Sequence, residues 1–222
     1  MVKRFFDVVV AAVGLVLLSP LLLAIAAVIK AYDGGPVFYR GERVGLEGMP
    51  FQILKFRTMV PNADPAGASS TSQDDPRITS VGRFLRAYKL DELPQLFNVF
   101  RGDMSLVGPR PQVAWAVALY STEERELLSV RPGMTDYASI RFSNEGEILK
   151  GSSDPDRDYL ARIAPEKIRL GLLYARHHSL RADIRIILAT LVSLVGGDPE
   201  RFLAIPAAAR SRRVDSQASE IP

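Results

Sequence analysis

The chain of 222 residues is 47% hydrophobic and 24% charged, so it has enough apolar side chains to form a core. It has no cysteine, which excludes a disulfide framework, thiolate zinc sites and a cysteine nucleophile, and fits a reducing compartment. Its two histidines, His177 and His178, are adjacent, which argues against a Ser-His-Asp hydrolase or a histidine-rich metal centre. The net charge of +3 includes 22 Arg against 6 Lys, an excess that fits phosphate or carboxylate partners but also a GC-rich genome.

The first predicted element is an uncharged apolar segment of 22 residues, 8–29. A helix of that length is about 33 Å long, which is enough to cross a bilayer core of about 30 Å. No small-x-small cleavage site follows it, which argues against a cleaved signal peptide. Ser19 and Pro20 lie at its middle, and proline removes a helical hydrogen bond. The pattern therefore predicts either a kinked single-pass anchor or a re-entrant hairpin of two half-helices.

Positive charges on both sides of this segment favour the hairpin. Lys3 and Arg4 precede it, and Lys30, Arg40 and Arg43 follow it. Positive residues prefer the cytoplasmic side of a membrane, and a spanning helix would place one of these two groups outside. We therefore expect residues 1–32 to form a re-entrant anchor that leaves both of its ends in the cytoplasm.

The rest of the chain predicts a mainly helical cytoplasmic domain over 33–196, so the expected fold class is α+β with a short β-hairpin. The hairpin strands are predicted at 37–40 and 50–59, around a turn with Gly41, Gly45 and Gly48. Residues 61–75 read as a small-residue loop. Helices are predicted at 81–89, from Glu92 to about residue 100, at 122–128, at 165–177 and at 180–195. The tail, 197–222, is rich in Ala, Pro, Ser and Arg, and its end is expected to be disordered.

Residues with reactive or binding chemistry lie between Lys55 and Arg141, and the acidic pair Asp91-Glu92 is the most informative. Asp91 stands where a helix N-cap belongs, with Pro94 in the following first turn, so one reading is a capping aspartate. The other reading is a phosphate site, because a helix N-terminus also offers free amide groups to an incoming phosphate.

Cationic residues near this pair favour the phosphate reading. Arg83 and Arg86 lie three apart on the preceding helix, and Arg110 follows in a Gly-Pro-Arg-Pro turn. Lys55 and Arg57 share one face of the second strand and are further candidates for substrate contacts. An acidic pair within a cationic shell suits a phosphate bound with Mg²⁺, in which a carboxylate can hold the cation or attack phosphorus.

Several blocks of the sequence resemble, in order, the bacterial sugar transferase family of small monotopic phosphoglycosyl transferases. The blocks are KRFFDVVVAAVGLVLLSP, GPVFYRGERVG, FQILKFRTM, DDPRITSVGRFLR, DELPQLFNVFRGDMSLVGPRP and RPGMT, and the resemblance runs over residues 3–194. It implies a Ser-Pro-broken re-entrant membrane helix. It also implies transfer of a sugar-1-phosphate from a nucleotide sugar, usually a UDP-sugar, to polyprenol phosphate (undecaprenyl phosphate), with release of UMP.

The resemblance also implies roles for individual residues. Asp91 is expected to be the nucleophile that forms a covalent phosphosugar intermediate and to hold Mg²⁺, with Glu92 as its dyad partner. Arg86 is expected to contact phosphate, and Lys55 and Arg110 to lie near the nucleotide sugar. Around Asp183 the chain is similar to the Asp-Ile/Leu-Lys motif that ends most members, and a structural role is open for this residue.

One stretch departs from the family pattern. Many members carry a segment like Val-Asn-Gly-Arg-Asn after the Pro-Gly turn, where this chain has Ile-Arg-Phe-Ser-Asn-Glu over 140–145. The family arginine aligns with Ser143, so Arg141 is the candidate to take over that phosphate contact. Because this region lines the donor side, the sugar and the pathway stay open, as does a homo-oligomeric state.

The expected location is the cytoplasmic face of the bacterial inner membrane, with membrane lipid as a partner and without nucleic acid. A runner-up is a basic membrane-tethered protein that binds nucleic acid or anionic lipid without catalysis. The 25 acidic residues are interspersed with the basic ones, and the one polybasic run is 210–213, which argues against it. A third reading is an enzyme of the same fold whose donor is not a UDP-sugar.

Overall fold

The computed structural model describes residues 1–61, 63, 71 and 74–203, and these form a mixed fold of helices and short strands. The helices in chain order are α1 Val2–Asp33, α2 Ser80–Ala87, α3 Gln95–Arg101, α4 Ala114–Ala118, α5 Tyr137–Arg141, α6 Glu145–Ile148, α7 Pro155–Arg162, α8 Ala164–His177 and α9 Leu180–Leu194. The strands are β1 Phe38–Val44, β2 Pro50–Phe56, β3 Ser105–Val107 and β4 Gly133–Thr135. Most of the predicted 61–75 loop and of the predicted tail lies outside the described residues.

Helix α1 is the long apolar element that the sequence predicts. Its length and composition are sufficient to cross a membrane, and little of its most apolar stretch is buried in the protein. Large apolar side chains such as Val9, Val16, Leu17 and Leu23 face outward along it. An exposed apolar surface of this extent indicates contact with lipid.

Helix α1 stays helical through Ser19 and Pro20, so the predicted break into two half-helices is not confirmed. Pro20 has no N–H to offer the carbonyl of Val16, and the Ser19 hydroxyl donates to that carbonyl instead, at 2.7 Å. An unpaired carbonyl is costly in hydrocarbon. The Ser-Pro pair therefore keeps proline inside the helix without leaving that backbone group unsatisfied.

The inner face of α1 packs on the rest of the protein over most of its length. Ala11, near the N-terminal end, joins the main core with Leu96 and Val99 of α3. Ile25 and Ile29, near the C-terminal end, pack in a second apolar cluster with Phe56 and Leu85. Both halves of the helix therefore contact the same body.

Buried polar contacts fix the N-terminal end of α1. Asp7 is buried and accepts a hydrogen bond from the Ser105 hydroxyl at 2.8 Å. The ammonium group of Lys3 lies 2.7 Å from a carboxylate oxygen of Asp183 in α9, and the Tyr174 hydroxyl donates to the other oxygen at 2.6 Å. These contacts give Asp183 a structural role, since it joins α1, α8 and α9.

An ion pair fixes the C-terminal end of α1. The guanidinium of Arg57 donates to both carboxylate oxygens of Asp33, and its Nε donates to the carbonyl of Pro36 at 2.6 Å. Arg57 is 9% exposed, so this pair is largely removed from water. Both ends of α1 are thus joined by charged groups to the rest of the protein.

The predicted β-hairpin is confirmed. β1 and β2 pair antiparallel from Phe38 opposite Phe56 to Val44 opposite Pro50, and Gly41 lies within β1 rather than in the turn. A second pair, β3 and β4, is parallel and was not predicted. At the start of β4, Gly133 lies so close to the residue after β3 that a Cβ on Gly133 would be 2.0 Å from the amide nitrogen of Gly108. Glycine is therefore required at position 133.

The predicted helices at 81–89, 165–177 and 180–195 are confirmed as α2, α8 and α9, within one or two residues at each end. The helix predicted from Glu92 begins later, as α3 at Gln95, because the dyad itself lies in the 3₁₀ turn Leu90–Glu92. The helix predicted at 122–128 is a 3₁₀ turn, Glu124–Ser129. Helices α4 to α7 were not predicted, since most are too short to show a 3.6-residue apolar period.

Candidate active site

Asp91 and Glu92 lie in a 3₁₀ turn that joins α2 to α3. The residue before this turn, Lys89, has φ 55° in the left-handed region, a conformation that costs a non-glycine residue roughly 1–2 kcal/mol. Strained backbone of this kind clusters at functional sites. The N-cap of α3 is Pro94, so the interpretation of Asp91 as the capping residue is wrong.

Glu92 is held between two cations from distant parts of the chain. Lys55 of β2 donates to it at 2.9 Å, and both terminal nitrogens of Arg110 donate to its carboxylate in a two-pronged pair, one of them at 3.2 Å. Burial alone would raise the pKa of Glu92, but the charges of Arg110 and Lys55 and their hydrogen bonds hold it well below its ordinary value. Glu92 is therefore ionised and its oxygens are occupied.

Asp91 has a different environment from its neighbour. Its side chain is 7% exposed, and no described side chain donates a hydrogen bond to it. Burial, followed by the negative charge of Glu92, raises its pKa, while the charges of Lys55, Arg86 and Arg110 oppose that rise. The result is a carboxylate that is less stabilised than an ordinary one and has free oxygens, which suits a nucleophile or a metal ligand.

Arg86 approaches the dyad from α2. Its Nε donates to the hydroxyl of Thr58 at 2.9 Å. Burial lowers the pKa of its guanidinium, and the negative charge of Asp91 opposes that fall. Helix α2 lies directly on Thr58, since a Cβ on Gly82 would be 2.0 Å from the Thr58 carbonyl oxygen. No described residue accepts from the two terminal nitrogens of Arg86, so they can bind a phosphate beside Asp91.

Asn98 aligns the dyad with the strand that carries Lys55. It is 2% exposed, accepts from the N–H of Leu54 at 2.9 Å and donates to the carbonyl of Gln52 at 2.7 Å. These two bonds go to the backbone of β2, as those of a neighbouring strand would, and they hold α3 against the β-hairpin. Sequence reasoning missed Asn98, because an asparagine within a short helix gives no sign of its partner 46 residues away.

The structure thus brings together five of the predicted site residues and leaves two elsewhere. The five are Lys55, Arg86, Asp91, Glu92 and Arg110. The structure places Arg57 at the end of α1, where Asp33 and backbone carbonyls occupy its nitrogens. It places Arg141 at the end of α5, with its Nε 3.6 Å from a carboxylate oxygen of Glu166.

The residues present fit a magnesium ion only in one arrangement. Within the described part of the chain, no group of three or more His, Asp or Glu side chains could form an all-protein site. Glu92 is engaged by two cations, whereas Asp91 has free oxygens. Mg²⁺ is commonly held by one or two carboxylates together with substrate phosphates. Asp91 and a bound diphosphate would meet that requirement.

A buried carboxylate with a raised pKa, within a shell of arginine and lysine side chains on a body that carries a long exposed apolar helix, is typical of a membrane-associated protein that binds phosphate groups. The sequence model of the family described as bacterial sugar transferase matches residues 1–197 of this chain. The chain therefore belongs to the bacterial sugar transferase family and is a phosphoglycosyl transferase.

Curated relatives agree with this assignment. The chain is 41% identical over 199 residues to a UDP-glucose:undecaprenyl-phosphate glucose-1-phosphate transferase of Caulobacter vibrioides, with 88% of this chain and 70% of that protein covered. It is 40% identical to an exopolysaccharide production protein, ExoY, of Rhizobium meliloti, with 86% and 84% covered. It is 36% identical to a UDP-N-acetylgalactosamine-undecaprenyl-phosphate N-acetylgalactosaminephosphotransferase of Aeromonas hydrophila, with 88% and 44% covered. The relatives' names carry different sugars, so membership of the family does not determine the sugar.

Proposed function

We propose that this protein transfers a sugar-1-phosphate from a UDP-sugar to undecaprenyl phosphate through a covalent phosphosugar intermediate on Asp91. The observation that carries the proposal is the contrast within the dyad. The negative charge of Glu92 is balanced by Lys55 and Arg110. Asp91, in contrast, is buried, its pKa is raised, and no described side chain donates a hydrogen bond to it. The names of the relatives support these substrates.

In the first step a carboxylate oxygen of Asp91 attacks the phosphorus that carries the sugar. The bond from that phosphorus to the oxygen bridging the two phosphates breaks, and UMP leaves with the electron pair. Arg86, whose terminal nitrogens are free of described partners, stabilises the charge that develops on the phosphoryl oxygens. Glu92 holds Lys55 and Arg110 beside the same phosphates.

In the second step a phosphate oxygen of undecaprenyl phosphate attacks the same phosphorus. The bond to Asp91 breaks, which restores the carboxylate and forms an undecaprenyl-diphosphate-linked sugar. Such a product would begin the synthesis of a bacterial glycoconjugate. Because the nucleotide leaves before the lipid reacts, the two bulky substrates need not occupy the site together.

The proposal includes Mg²⁺ held by Asp91 together with the two phosphates of the donor. When bound, a magnesium ion neutralises phosphate charge and stabilises the leaving group. Of the two dyad carboxylates, Asp91 is the one that has oxygens free for it.

The test of this function is release of UMP from a panel of UDP-sugars by purified protein with undecaprenyl phosphate. We expect release with at least one UDP-sugar, dependence on undecaprenyl phosphate for multiple turnovers, and loss on removal of Mg²⁺ with EDTA. Adding GDP- and dTDP-sugars to the panel tests the alternative of a different donor. Failure to release nucleotide from every donor would contradict the proposed function and favour a non-catalytic membrane protein.

The proposal also places α1 within one leaflet, with the catalytic body on the cytoplasmic face of the inner membrane. The support is that Lys3 and Asp33, at opposite ends of α1, are both paired with groups of the same body. A helix that crossed the bilayer would carry one of these ends away from that body. A body held at headgroup depth meets the phosphate of the lipid acceptor while the lipid chain stays in the bilayer.

Cysteine labelling tests this topology cleanly, because the natural chain has no cysteine. Val2→Cys and Met49→Cys introduce thiols at exposed positions, one at the first residue of α1 and one beyond its C-terminal end, without touching an ion pair. We expect both thiols to resist a membrane-impermeant maleimide in intact cells and both to react after lysis. Labelling of Val2→Cys from outside, with Met49→Cys protected, would instead establish a spanning helix.

Arg86→Lys tests the phosphate contact. Lysine keeps the charge but lacks the planar, two-pronged donor geometry of arginine, and it cannot bond Thr58 in the same way. We expect a loss of roughly 1–3 kcal/mol of transition-state stabilisation, measured as kcat/KM for UMP release. Arg125, exposed in the 3₁₀ turn Glu124–Ser129, is the control, and its change to Lys should have almost no effect. Small and equal effects at both positions would show that Arg86 does not bind phosphate.

A further inference from the structure

A cavity of about 250 Å³ lies beside the dyad, and none of the functions argued above uses it. This volume is many times the roughly 10–15 Å³ that a single water molecule requires. Its apolar wall comes from helices α4, α7 and α8 and the 3₁₀ turn between α4 and β4. The wall includes Ala116, Leu119, Leu127, Leu160 and Ile168. Arg110 lines the cavity and also binds Glu92, so one residue links the cavity to the dyad.

Polar groups with both donor and acceptor capacity also line this cavity. Asp136, 2% exposed, accepts from the N–H of Ser139 at 2.6 Å. The ammonium group of Lys167 lies 5.1 Å from the centre of the Tyr159 ring. Burial, with the charge of Glu124, raises the pKa of Tyr120 to about 12, so that hydroxyl keeps its proton at neutral pH. Apolar walls with a few convergent hydroxyl, carboxylate and ammonium groups suit a small molecule with apolar faces and hydroxyl groups.

The connectivity of the donor decides which part of it this cavity fits. In a UDP-sugar, the sugar is joined through one oxygen to the phosphorus that Asp91 attacks, whereas the nucleoside lies one phosphate further away. Arg110 lines the cavity and also binds Glu92, so the cavity is next to the dyad. The lining carries two carboxylates, Asp136 and Glu124, and two cations, Arg110 and Lys167, so it offers both acceptors and donors to the hydroxyl groups of a sugar. The group that enters the cavity is therefore the one bonded to the reacting phosphorus.

We propose that this cavity, walled on one side by Ala116 of α4, holds the sugar of the nucleotide donor and determines which sugars are transferred. The proposal rests on the proposed function, because it concerns the donor of that same reaction. It identifies a specificity site distinct from the dyad, formed by parts of the chain far apart in sequence.

Filling the cavity from Ala116 tests the proposal. Ala116 is 7% exposed and lines the cavity, so Ala116→Leu would place a larger apolar side chain into the sugar site. Ala118, on the same short helix, is exposed and does not line the cavity, so Ala118→Leu is the matched control. The measurements are kcat/KM for a panel of UDP-sugars, inhibition by UMP, which has no sugar phosphate, and the melting temperature.

We expect Ala116→Leu to lower kcat/KM by about tenfold or more and to change the ranking of the sugars. Inhibition by UMP should stay within about twofold of the natural protein, and Ala118→Leu should change neither. If Ala116→Leu lowers the melting temperature, the smaller Ala116→Val should show the same selective loss in a folded protein. Unchanged sugar ranking and turnover, or an equal loss of UMP inhibition, would overturn the proposal. An unmutated protein that transfers no sugar phosphate would instead overturn the proposed function, and this proposal with it.

Discussion

Asp91→Asn should abolish sugar-phosphate transfer and at the same time make the protein more stable. Asparagine keeps the size of the side chain but removes the attacking charge, so we expect kcat to fall by more than roughly a thousandfold. Because burial and the charge of Glu92 raise the pKa of Asp91, its ionised form is unfavourable in the folded state at neutral pH. The substitution removes that penalty, so the melting temperature should rise at pH 7.

The size of this stability change depends on pH in a defined way. As the pH falls through the raised pKa towards the ordinary value of 3.8, Asp91 takes up a proton and the difference between the two proteins should vanish. Asp183→Asn, the same change at another buried aspartate, serves as the control, and it should lower the melting temperature because Asp183 is paired with Lys3. Loss of stability in Asp91→Asn would show that Asp91 has a structural role.

Glu92→Gln should have the opposite effect on stability. It leaves Lys55 and Arg110 close together without the carboxylate that both bind. Removing one partner of a buried ion pair costs about 3–5 kcal/mol, and because these side chains are 18–32% exposed we expect roughly 1–3 kcal/mol here. In a protein of this size each kcal/mol lowers the melting temperature by about 2–4 °C.

The pH dependence of Glu92→Gln gives a second readout. The folded protein lowers the pKa of Glu92, so its stabilising effect is present above the ordinary value of 4.5 and is lost as the pH falls below it. The stability difference from the natural protein should therefore shrink in acid. Loss of the neighbouring negative charge should also lower the pKa of Asp91 and move the acid limb of kcat/KM to lower pH.

A surface glutamate supplies the control for this variant. Glu123→Gln removes a charge from an ion pair with Arg176 in which the side chains are 65% and 42% exposed, so it should alter the melting temperature and the acid limb little. An acid limb that stays in place in Glu92→Gln would show that the pKa of Asp91 does not depend on its neighbour.

Sequence reasoning identified the parts of the site that are close together in the chain. The dyad consists of adjacent residues, and Arg86 precedes Asp91 by about one helical turn, so local spacing sufficed to group them. The long apolar helix α1 was predictable because its residues lack charge. The β-hairpin of β1 and β2 was predictable because its two short strands flank a turn rich in glycine.

Contacts across long stretches of sequence were not predictable in the same way. The bond between Lys55 and Glu92 joins residues 37 apart, and only the fold decides that Arg57, two residues on, turns to Asp33 instead. The pairing of β3 with β4 involves three residues on each side and leaves no alternating pattern to detect. The Ser-Pro pair predicted a break, whereas the Ser19 hydroxyl bonds the carbonyl that Pro20 leaves free and the helix continues.

The central claim is that Asp91 carries the sugar phosphate between donor and acceptor. Mass spectrometry of the protein quenched after incubation with a UDP-sugar and Mg²⁺, without undecaprenyl phosphate, tests it most directly. We expect the mass of one sugar phosphate on the peptide that contains Asp91, release of UMP equal to the amount of adduct, and disappearance of the adduct on addition of undecaprenyl phosphate. Multiple turnovers of a UDP-sugar with undecaprenyl phosphate by a protein that forms no adduct on Asp91 would contradict the account and establish direct transfer.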